Sequence, residues 1–522
     1  MLGLPLALAV AVALGLYLII IPVINYFRDT KGLRKYPTFA NLAGISDLPY
    51  CYLSASGLRS AGLHEAHKHA PILRIGPNAL SFGDISAIKD LYGHSTKCGK
   101  DLNYVITSGS HTHLIDSVDK PEHARKRKLM SAAFAIKNLE RWEFKVADVT
   151  DLLLKALDSR CTAPLPTSHS IPEPADLNVD FNMWINLFTI EAINNIALSA
   201  RLPLLEQGSD EVTAERMDGT MYKARYRKAQ NQTSLAQATF VWAYDSYEWL
   251  AWLSKCIPRW RKIWKEAEPW NDVVYHQVSE RLRRYQKGEQ LDDFFSCLMT
   301  DKSWTPNNLE WGEIVSEISI IINAGADTTA IALSNIMELL IRHPEHLQRL
   351  RAEVDEVLDD SEVIASYDKV RDLPFLRACI DEGLRLIPPT SAGLARRTPP
   401  EGAQILGEWI PGDTSVSMTI YSAHRDSKVF PDPEAFQPQR WLDAEERKKM
   451  EPFFIPFSAG ARGCIGRNIS YLEQIVVVAT LVHRYDFALP SPSWKCQRHE
   501  AFNILVGELP IKIWKRDLGE LA

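Results

Sequence analysis

The hydrophobic positions of the chain repeat every three to four residues over most of its length, as they do in amphipathic helices. Four segments carry this pattern clearly, at 310–342, 345–358, 375–386 and 465–483. Pro344 follows the first of them, and a proline just past the end of a helix cannot continue it. The pattern predicts a mainly helical protein.

Shorter segments have the character of β-strands. Runs of aliphatic and β-branched residues lie at 72–75, 403–410 and 415–419, and their length is typical of strands. Residues 162–174 are rich in Pro, Ser and Thr and are predicted to form a surface loop. The predicted fold class is mainly α with a small β region (α+β), in one catalytic domain spanning 28–522.

The first 27 residues contain no charged side chain. A helix of about 20 apolar residues crosses a bilayer. A cleaved signal peptide is the alternative, but no basic region precedes the run and no Ala-x-Ala-like site closes it. Arg28, Lys31, Arg34 and Lys35 follow directly, and such charges mark the cytoplasmic side of an anchor. We predict a retained single-pass transmembrane anchor at 1–27, with the catalytic domain in the cytoplasm.

The composition mainly excludes several classes of protein and of site. Apolar residues make up 46% of the 522 residues and charged residues 24%, which is the balance of an ordinary globular protein. The net charge of −6 gives no global basic field for nucleic acid. The eight cysteines are scattered without a CxxC pair, so neither a zinc site nor a disulfide scaffold is predicted.

One cysteine differs from the rest in its surroundings. Cys464 lies in the segment Phe457-Ser-Ala-Gly460-Ala-Arg462-Gly-Cys464-Ile-Gly466. A lone cysteine is more often an inert buried residue than a ligand. Here glycines let the backbone approach the sulfur closely, and the positive end of the helix predicted to follow would lower its pKa. These features favour a thiolate metal ligand.

The segment resembles the signature of the cytochrome P-450 superfamily, FxxGxRxCxG, with every fixed position filled. The resemblance extends over about residues 36–514. At 122–128 and 455–458 it looks closest to fungal microsomal members and to the benzoate 4-monooxygenase-like branch. It implies haem b as cofactor, Cys464 as the axial ligand of the haem iron, and a location at the endoplasmic reticulum membrane.

A second motif, Ala324-Gly-Ala-Asp327-Thr328-Thr, falls in the middle of the long predicted helix. Its small residues could simply allow another helix to pack closely. However, a glycine inside a helix costs about 1 kcal/mol, and a threonine hydroxyl can bond a carbonyl one turn back and loosen the helix. The segment resembles the family's oxygen-activation motif. That resemblance implies that Thr328 hydrogen-bonds dioxygen and that Asp327 relays protons.

Further residues are assigned through the same resemblance. Glu382 and Arg385 match the family's ExxR pair, with Arg440 as third member, which supports the cysteine loop without doing chemistry. Four residues are candidate partners of the anionic haem propionates, and they are His123, Arg127, Arg396 and Arg462. His123 and Arg127 share one helical face by their i,i+4 spacing. Arg396 is preferred to its neighbour Arg397 by alignment.

The chain contains no flavin or iron–sulfur domain, so its electrons must come from a partner. NADPH–cytochrome P-450 reductase is the implied donor, with cytochrome b5 as a second. The basic cluster Lys120, Arg125, Lys126, Arg127 and Lys128 is a candidate docking surface for an acidic partner. Six tryptophans between 242 and 270, interleaved with Arg and Lys, suit either core packing or contact with membrane lipid.

The substrate is the least determined part of the prediction. The pocket walls are expected at 103–115, 323–328, 390–394 and 502–505, which offer no obvious partner for a carboxylate. A lipophilic polyketide, terpenoid or indole-type metabolite in fungal secondary metabolism is therefore preferred. The alternatives are a haem-thiolate isomerase or dehydrase, an aromatic-acid hydroxylase of the benzoate type, and a haem-binding sensor without catalysis.

Overall fold

The computed structural model of the chain describes residues 12–13, 15–131, 133–166, 171–300, 303 and 305–517. The α-helices are Ile21–Arg28, Leu48–Ala55, Arg59–His67, Ala87–Tyr92, Lys120–Ser131, Ile136–Arg141, Glu143–Asp158, Phe181–Leu198, Leu204–Gln207, Tyr226–Phe240, Tyr247–Ser254, Pro258–Ala267, Pro269–Gln286, Phe294–Met299, Trp311–Arg342, Pro344–Asp355, Tyr367–Val370, Pro374–Leu386, Ile420–Ala423, Ala444–Met450 and Arg467–Arg484. A π-helix covers Leu16–Ile20, and 3-10 helices cover Leu33–Lys35, Leu102–Thr107, Pro174–Asp176, Tyr244–Ser246, Pro438–Trp441, Glu451–Phe453 and Gly460–Arg462.

The strands are short. They are β1 (Ile72–Gly76), β2 (Ala79–Phe82), β3 (Gly99–Lys100), β4 (Val179–Asp180), β5 (Glu211–Glu215), β6 (Met221–Arg225), β7 (Arg396–Arg397), β8 (Ala403–Ile405), β9 (Glu408–Ile410), β10 (Ser415–Ser417), β11 (Tyr485–Ala488), β12 (Arg498–Glu500), β13 (Ile504–Val506) and β14 (Pro510–Lys515). The largest sheet has the order β1-β2-β10-β7-β3, and β11-β14-β4 form a second. The fold is α+β and mainly helical, as predicted.

Two helices organise the core. The long helix (Trp311–Arg342) packs against Phe181–Leu198, Pro374–Leu386 and the cysteine helix (Arg467–Arg484). Most of its residues from Ile314 to Leu340 are buried. Its hydroxyl-bearing residue Thr329 lies 3.2 Å from Ser470 of the cysteine helix, oxygen to oxygen. The two motifs found in the sequence are therefore held side by side by one packed interface.

The predicted elements agree with the observed ones to within a few residues, as the four helices show. The helix predicted from 375 begins at Pro374, since a proline suits the first helical turn. The predicted strand at 403–410 is a hairpin of β8 and β9, which pair antiparallel. Its turn contains Leu406 and Gly407, both with positive φ. None of the eight cysteines, all within the described ranges, forms a disulfide.

The predicted anchor lies partly outside the described residues, which begin at residue 12. The described part is helical from Leu16 to Arg28. Asp29 ends the helix in the left-handed region, and its carboxylate accepts from the backbone N–H of Leu33 at 2.9 Å. By length and apolarity, one helix among the described residues could cross a membrane, and it is the long helix, 56% buried in its most apolar window. The N-terminal anchor stays a prediction.

Candidate functional site

The cysteine loop is folded around its own backbone. The N–H of Cys464 donates to the carbonyl of Phe457 at 2.8 Å, and the N–H of Gly463 donates to Gly460 at 3.0 Å. Gly460 has φ +65°, and a Cβ there would lie 2.3 Å from the carbonyl oxygen of Tyr92. A side chain would fit neither the conformation nor the space. Glycine is therefore required where the loop passes the end of helix Ala87–Tyr92.

The Cys464 thiol faces an opening inside the protein. Burial raises its pKa, and the backbone N–H groups of Gly466 and Arg467 oppose that effect. The cysteine helix begins at Arg467 with Gly466 as its N-cap. Although the sulfur lies deep in the fold, the side chain is exposed. This combination of a deep thiol, an open approach and N–H donors suits a thiolate that binds a metal.

A buried ion network supports the loop from behind. The Arg385 guanidinium bonds both carboxylate oxygens of Glu382, at 2.8 and 2.9 Å, and both side chains are fully buried. Arg440 completes the network at 3.1 Å from Glu382. The Arg385 Nη1 atom also donates to the carbonyl of His424 at 2.9 Å. His424 Nε2 in turn accepts from the N–H of Ile455 at 2.9 Å, so the network reaches the start of the cysteine loop.

Five cationic or basic side chains converge beside this loop, and we call them the cation cluster: Lys100, His123, Arg127, Arg396 and Arg462. Burial, together with the positive charges of the other four, lowers the pKa of His123 to about 4. The pKa of Arg462 falls to about 10 through burial and the charge of Arg396. Within the described part of the chain, no member makes an ion pair with a carboxylate. Such a cluster needs an anion to complete it.

The members of the cluster also bond backbone carbonyls. Arg127 Nη1 donates to Gly463 at 2.8 Å, which ties helix Lys120–Ser131 to the cysteine loop. Arg462 Nη1 donates to Ser117 at 2.6 Å, and Arg396 Nη1 donates to Ala395 at 3.1 Å. Several of their donors remain available for a ligand, because a guanidinium carries five N–H groups. The cluster therefore fits the two carboxylates of a haem.

Arg396 and Arg397 lie on opposite faces of strand β7. Arg396 is buried and belongs to the cation cluster, whereas Arg397 turns to the other side, with its Nε atom 3.4 Å from Asp101. Arg396 is also the cross-strand partner of Lys100 in the β3–β7 pair. Lys100 was not predicted, because its role depends on this pairing between distant segments. A buried lysine in a two-residue strand leaves no periodic signal in the sequence.

The oxygen-activation motif lies on the long helix, which is continuous through it. The Thr328 hydroxyl donates to the carbonyl of Ala324, one turn back, at 2.7 Å, as predicted. Asp327 is buried, and its Oδ2 atom accepts from Asn503 Nδ2 at 2.7 Å. Burial raises the pKa of Asp327, while the Asn503 hydrogen bond and the charge of Arg227 lower it. The site thus holds an acid and an alcohol on adjacent residues.

Three of the predicted pocket walls meet through hydrogen bonds. Thr390 Oγ1 donates to Asn503 Oδ1 at 2.7 Å, and Asn503 reaches Asp327. The fourth wall, from 103 to 115, docks further along the long helix, where Leu114 N–H donates to Glu317 at 3.1 Å. The other three segments therefore contact the long helix at two levels, near Asp327 and near Glu317. Their joint use as pocket walls stays a prediction.

The predicted basic docking surface is smaller than expected. Lys126 is buried and pairs with Glu313 at 2.7 Å and Glu317 at 2.9 Å. Arg125 is neutralised by Glu122 at 2.7 Å and by Glu313, and Arg127 points to the cysteine loop. The helix orientation therefore turns most of this charge inward. Lys120 and Lys128 remain exposed.

Comparisons with known proteins identify the class of protein that carries this arrangement. Residues 65–514 match the family model described as cytochrome P-450. A cytochrome P-450 monooxygenase of Aspergillus terreus is 30% identical over 87% of this chain and 91% of its own length. Tryprostatin B 6-hydroxylase of Aspergillus fumigatus is 26% identical over 87% and 76%, respectively. Benzoate 4-monooxygenase of Aspergillus niger is 26% identical over 94% of both chains.

The chain therefore belongs to the cytochrome P-450 family. It is an oxidoreductase of the monooxygenase type, and its cofactor is haem b, which the family binds through a cysteine thiolate. The residues described above fit that cofactor. A deep thiol lies beside a cluster of basic side chains that has no carboxylate of its own among the described residues.

Proposed function

We propose that the chain is a haem-dependent monooxygenase that oxidises a lipophilic small molecule with dioxygen and NADPH-derived electrons. The observation that carries the proposal is the cation cluster next to the Cys464 thiol. In this assignment Cys464 is the axial ligand of the haem iron. His123, Arg127, Arg396 and Arg462 hold the propionates, and Lys100 joins them. The catalytic domain extends over 28–522.

Bound haem supplies the redox-active iron at which dioxygen is reduced. The residues of the long helix supply the proton chemistry around it. The Thr328 hydroxyl has one proton, now donated to the carbonyl of Ala324, and a turn of the side chain would make that proton available to an acceptor in the pocket. Asp327 is buried, and burial raises its pKa, so the carboxyl group holds a proton more readily than an exposed aspartate and can pass it on. The acid–alcohol pair favours oxygen activation over the isomerase and dehydrase alternatives, which need no proton delivery to dioxygen.

The proposed substrate is a lipophilic metabolite of fungal secondary metabolism. The relative that hydroxylates tryprostatin B supports this substrate class, whereas the benzoate 4-monooxygenase relative favours the aromatic-acid alternative. A carboxylate substrate is the less favoured choice. The half-buried Arg227 is the charged group facing Asp327, and it lies in the field of Asp180, Asp327 and Asp210. Three carboxylates around one guanidinium leave no net positive site for a fourth.

We also propose that residues 1–27 anchor the protein in the endoplasmic reticulum membrane, with the catalytic domain in the cytoplasm. A second surface supports contact with lipid there. Trp252, Leu253 and Ile257 are 66%, 44% and 53% exposed, respectively. Exposed lysines and arginines surround them, at 255, 259, 261 and 262. Apolar side chains flanked by basic ones suit the headgroup region.

The membrane contact can be tested with the chain lacking residues 1–27. If the surface contacts lipid, the change Trp252→Ser should lower the fraction of the truncated chain that sediments with microsomes. Trp409, which is 55% exposed on β9, provides the control Trp409→Ser. Equal retention of all three proteins would contradict the lipid contact and leave the enzymatic proposal intact.

The enzymatic proposal is tested first through the cofactor. Reduced, carbon monoxide-bound protein should show the absorbance of a haem thiolate, and Cys464→Ala should abolish it. Cys379→Ala changes a buried cysteine away from the loop and should leave the spectrum unchanged. A thiolate spectrum that survives Cys464→Ala would refute the assignment.

The substrate requires a separate experiment. Deletion of the gene should cause a precursor to accumulate, and microsomes containing the protein, reductase and NADPH should convert that precursor into an oxidised product. Comparing the conversion rate with reductase alone and with reductase plus cytochrome b5 shows which proteins supply the electrons. Benzoate serves as the alternative substrate, and its conversion in place of the precursor would favour the aromatic-acid hydroxylase.

A further inference from the structure

Three polar side chains linked by hydrogen bonds join the long helix to two of the predicted pocket segments. Thr390 Oγ1 donates to Asn503 Oδ1 at 2.7 Å, and Asn503 Nδ2 donates to Asp327 Oδ2 at 2.7 Å. Asn503 lies in the turn between β12 and β13, and the next residue, Ile504, donates its N–H to Pro389 at 2.9 Å. The turn is thereby fixed against the segment that carries Thr390. Asn503 and Asp327 are buried, whereas Thr390 is partly exposed.

The donor and acceptor groups of the three side chains fix the direction of each hydrogen bond. An ionised carboxylate only accepts hydrogen bonds, so Asn503 must turn its amide NH2 group to Asp327. The amide oxygen then faces Thr390, whose hydroxyl donates to it. A neutral Asp327 can donate instead, and the amide can then turn its oxygen to Asp327 and its NH2 group to Thr390. A hydroxyl both donates and accepts, so every member stays paired in either arrangement.

We propose that Asn503 is the positioning residue for the Asp327 carboxyl group and that Thr390 lets its amide serve both protonation states of the acid. The inference rests on the proposed function, in which Asp327 handles protons for oxygen activation. Asn503 fixes the direction in which the carboxyl group points, and it stabilises the ionised form by donating to it. Without Thr390, either arrangement would leave one group of the buried amide unpaired, which lowers the stability of the protein but favours neither protonation state.

The surroundings of Asp327 contain few competing charges. From helix Tyr226–Phe240, Arg227 faces the carboxylate and lowers its pKa together with Asn503, while burial raises it. From the cysteine helix, Glu473 faces Thr329 rather than Asp327. From the β12–β13 turn, Asn503 is the group in contact. Asn503 is therefore the neutral partner through which the state of Asp327 can be adjusted without altering a charge.

The first test measures the protonation of Asp327 directly. The infrared band of its neutral carboxyl group is identified in the haem-loaded protein by difference from Asp327→Asn and titrated with pH. Asn503→Ala should move the midpoint upward by about one pH unit, because the ionised form loses its donor. Thr390→Val should leave the midpoint unchanged while lowering thermal stability, since Thr390 pairs with the amide in both states.

A matched control separates this effect from a general loss of packing. Asn186 is a buried asparagine whose amide donates to the carbonyl of Asn182 at 2.7 Å. Asn186→Ala should leave the Asp327 midpoint unchanged. A midpoint that Asn503→Ala does not move, or that Asn186→Ala moves equally, would overturn the inference.

Exchanging Asp327 and Asn503 with each other distinguishes the effect of their pairing on stability from its effect on proton transfer. Asn503→Asp alone places two carboxyl groups together and should raise the midpoint further than Asn503→Ala. The double variant Asp327→Asn/Asn503→Asp again pairs one amide with one acid, so its thermal stability should exceed that of Asn503→Asp. NADPH consumption with reductase should nevertheless stay as low as in Asp327→Asn, because the acid is misplaced.

The failure of the inference can be distinguished from failure of the proposed function. If Asp327→Asn consumes NADPH at the rate of the unmodified protein, the proton role of Asp327 is wrong. A midpoint that still depends on Asn503 would uphold the positioning role even then. If the double variant is no more stable than Asn503→Asp, the amide–acid pairing is refuted whatever the rate.

Discussion

Two buried groups of charges lie on either side of the cysteine loop, and they are built in opposite ways. In the network behind the loop, the Glu382 carboxylate is shared by Arg385 and Arg440, and Trp441 adds a hydrogen bond at 2.9 Å. In the cation cluster, basic side chains face one another, and none of them forms an ion pair with a carboxylate among the described residues; Asp116 and Asp119 act on Lys100 and Arg462 through their charge alone. The first group is complete within the chain. The second is complete only with an anionic ligand.

The difference separates support from binding. A buried ion that is paired and hydrogen-bonded can persist in the protein without a ligand. Uncompensated buried cations raise the free energy of the ligand-free protein, and an anion that joins them removes that cost. Buried charges therefore serve two different purposes in this protein. One group holds the loop that carries Cys464, and the other selects what binds beside it.

The largest expected effect comes from breaking the self-contained network. Glu382→Gln removes the shared carboxylate and leaves Arg385 and Arg440 buried without a counter-ion, which should lower the free energy of unfolding by about 3–5 kcal/mol. Urea unfolding of the haem-free and haem-loaded proteins should show the loss in both. Glu434→Gln is the matched control, because Glu434 is an exposed partner of the buried Arg425. It should cost about 0–1 kcal/mol. A loss confined to the haem-loaded protein would remove the contrast between the two groups.

The next effect should appear in ligand binding alone. Lys100→Met removes one cation from the cluster, and one hydrogen bond to a charged group contributes about 1.5–3 kcal/mol, or roughly tenfold to a hundredfold in affinity. Haem transfer to an excess of apomyoglobin should accelerate by that factor. The haem-free protein should lose less stability than the haem-loaded protein, because relief of the repulsion between Lys100 and Arg396 offsets the lost hydrogen bond to the carbonyl of Ile115.

Lys145 offers the control for this change. It is a buried lysine that donates to the carbonyls of Asn195 and Asp292 at 3.0 and 2.7 Å, away from the cluster. Lys145→Met should destabilise the haem-free and haem-loaded proteins equally. If Lys100→Met behaves in the same way, Lys100 is a structural lysine and not part of the anion site.

The pH dependence of the free energy of unfolding should distinguish the haem-free cation cluster from the haem-loaded one. The pKa of His123 is lowered from 6.5 to about 4 by burial and by the neighbouring cations. Between these values the unfolded chain binds more protons than the folded one, so stability from this residue is present above 6.5 and is lost as pH falls towards 4. The haem-free protein should show this slope in its free energy of unfolding, and His123→Gln should flatten it. Haem should also flatten it, because an anion raises the pKa of His123. An equal slope in all three proteins would place the titrating group elsewhere.

The smallest effect concerns an exposed charge that belongs to neither group. Lys128→Ala should change the free energy of unfolding by about 0.5 kcal/mol or less, and weaken reductase binding about twofold to fivefold at low ionic strength. Higher salt should remove the difference. Lys223→Ala, which alters an exposed lysine on β6, should leave reductase binding unchanged. Equal effects of the two variants would contradict docking at helix Lys120–Ser131.

Most of the correct predictions about the helices and the candidate site came from short motifs of consecutive residues. The spacing of Cys464 and of the acid–alcohol pair is contained in a few consecutive residues, and the helices that hold them have strong periodicity. His123 and Arg127 share one helical face, which four-residue spacing is enough to predict. The boundaries shifted by only a few residues, because caps and prolines set them locally.

Contacts between distant segments were harder to predict. Lys100 enters the cation cluster through the pairing of a two-residue strand with β7, and no local pattern indicates that pairing. The inward direction of Lys126 depends on Glu313 and Glu317, about 190 residues away along the chain. The contact of Asn503 with Asp327 likewise depends on how a short hairpin lies against the long helix. In each case the tertiary arrangement determines which charge is buried.

The pairing of Lys100 with Arg396 has a consequence for the life of the protein in the cell. Like charges opposite each other weaken a strand pair, so the β3–β7 edge of the large sheet should be the first part of the haem-free chain to open. A newly made chain that has not received haem would then present an unpaired strand end to proteases, while a loaded chain would not. Haem supply would set the lifetime of the polypeptide as well as its activity.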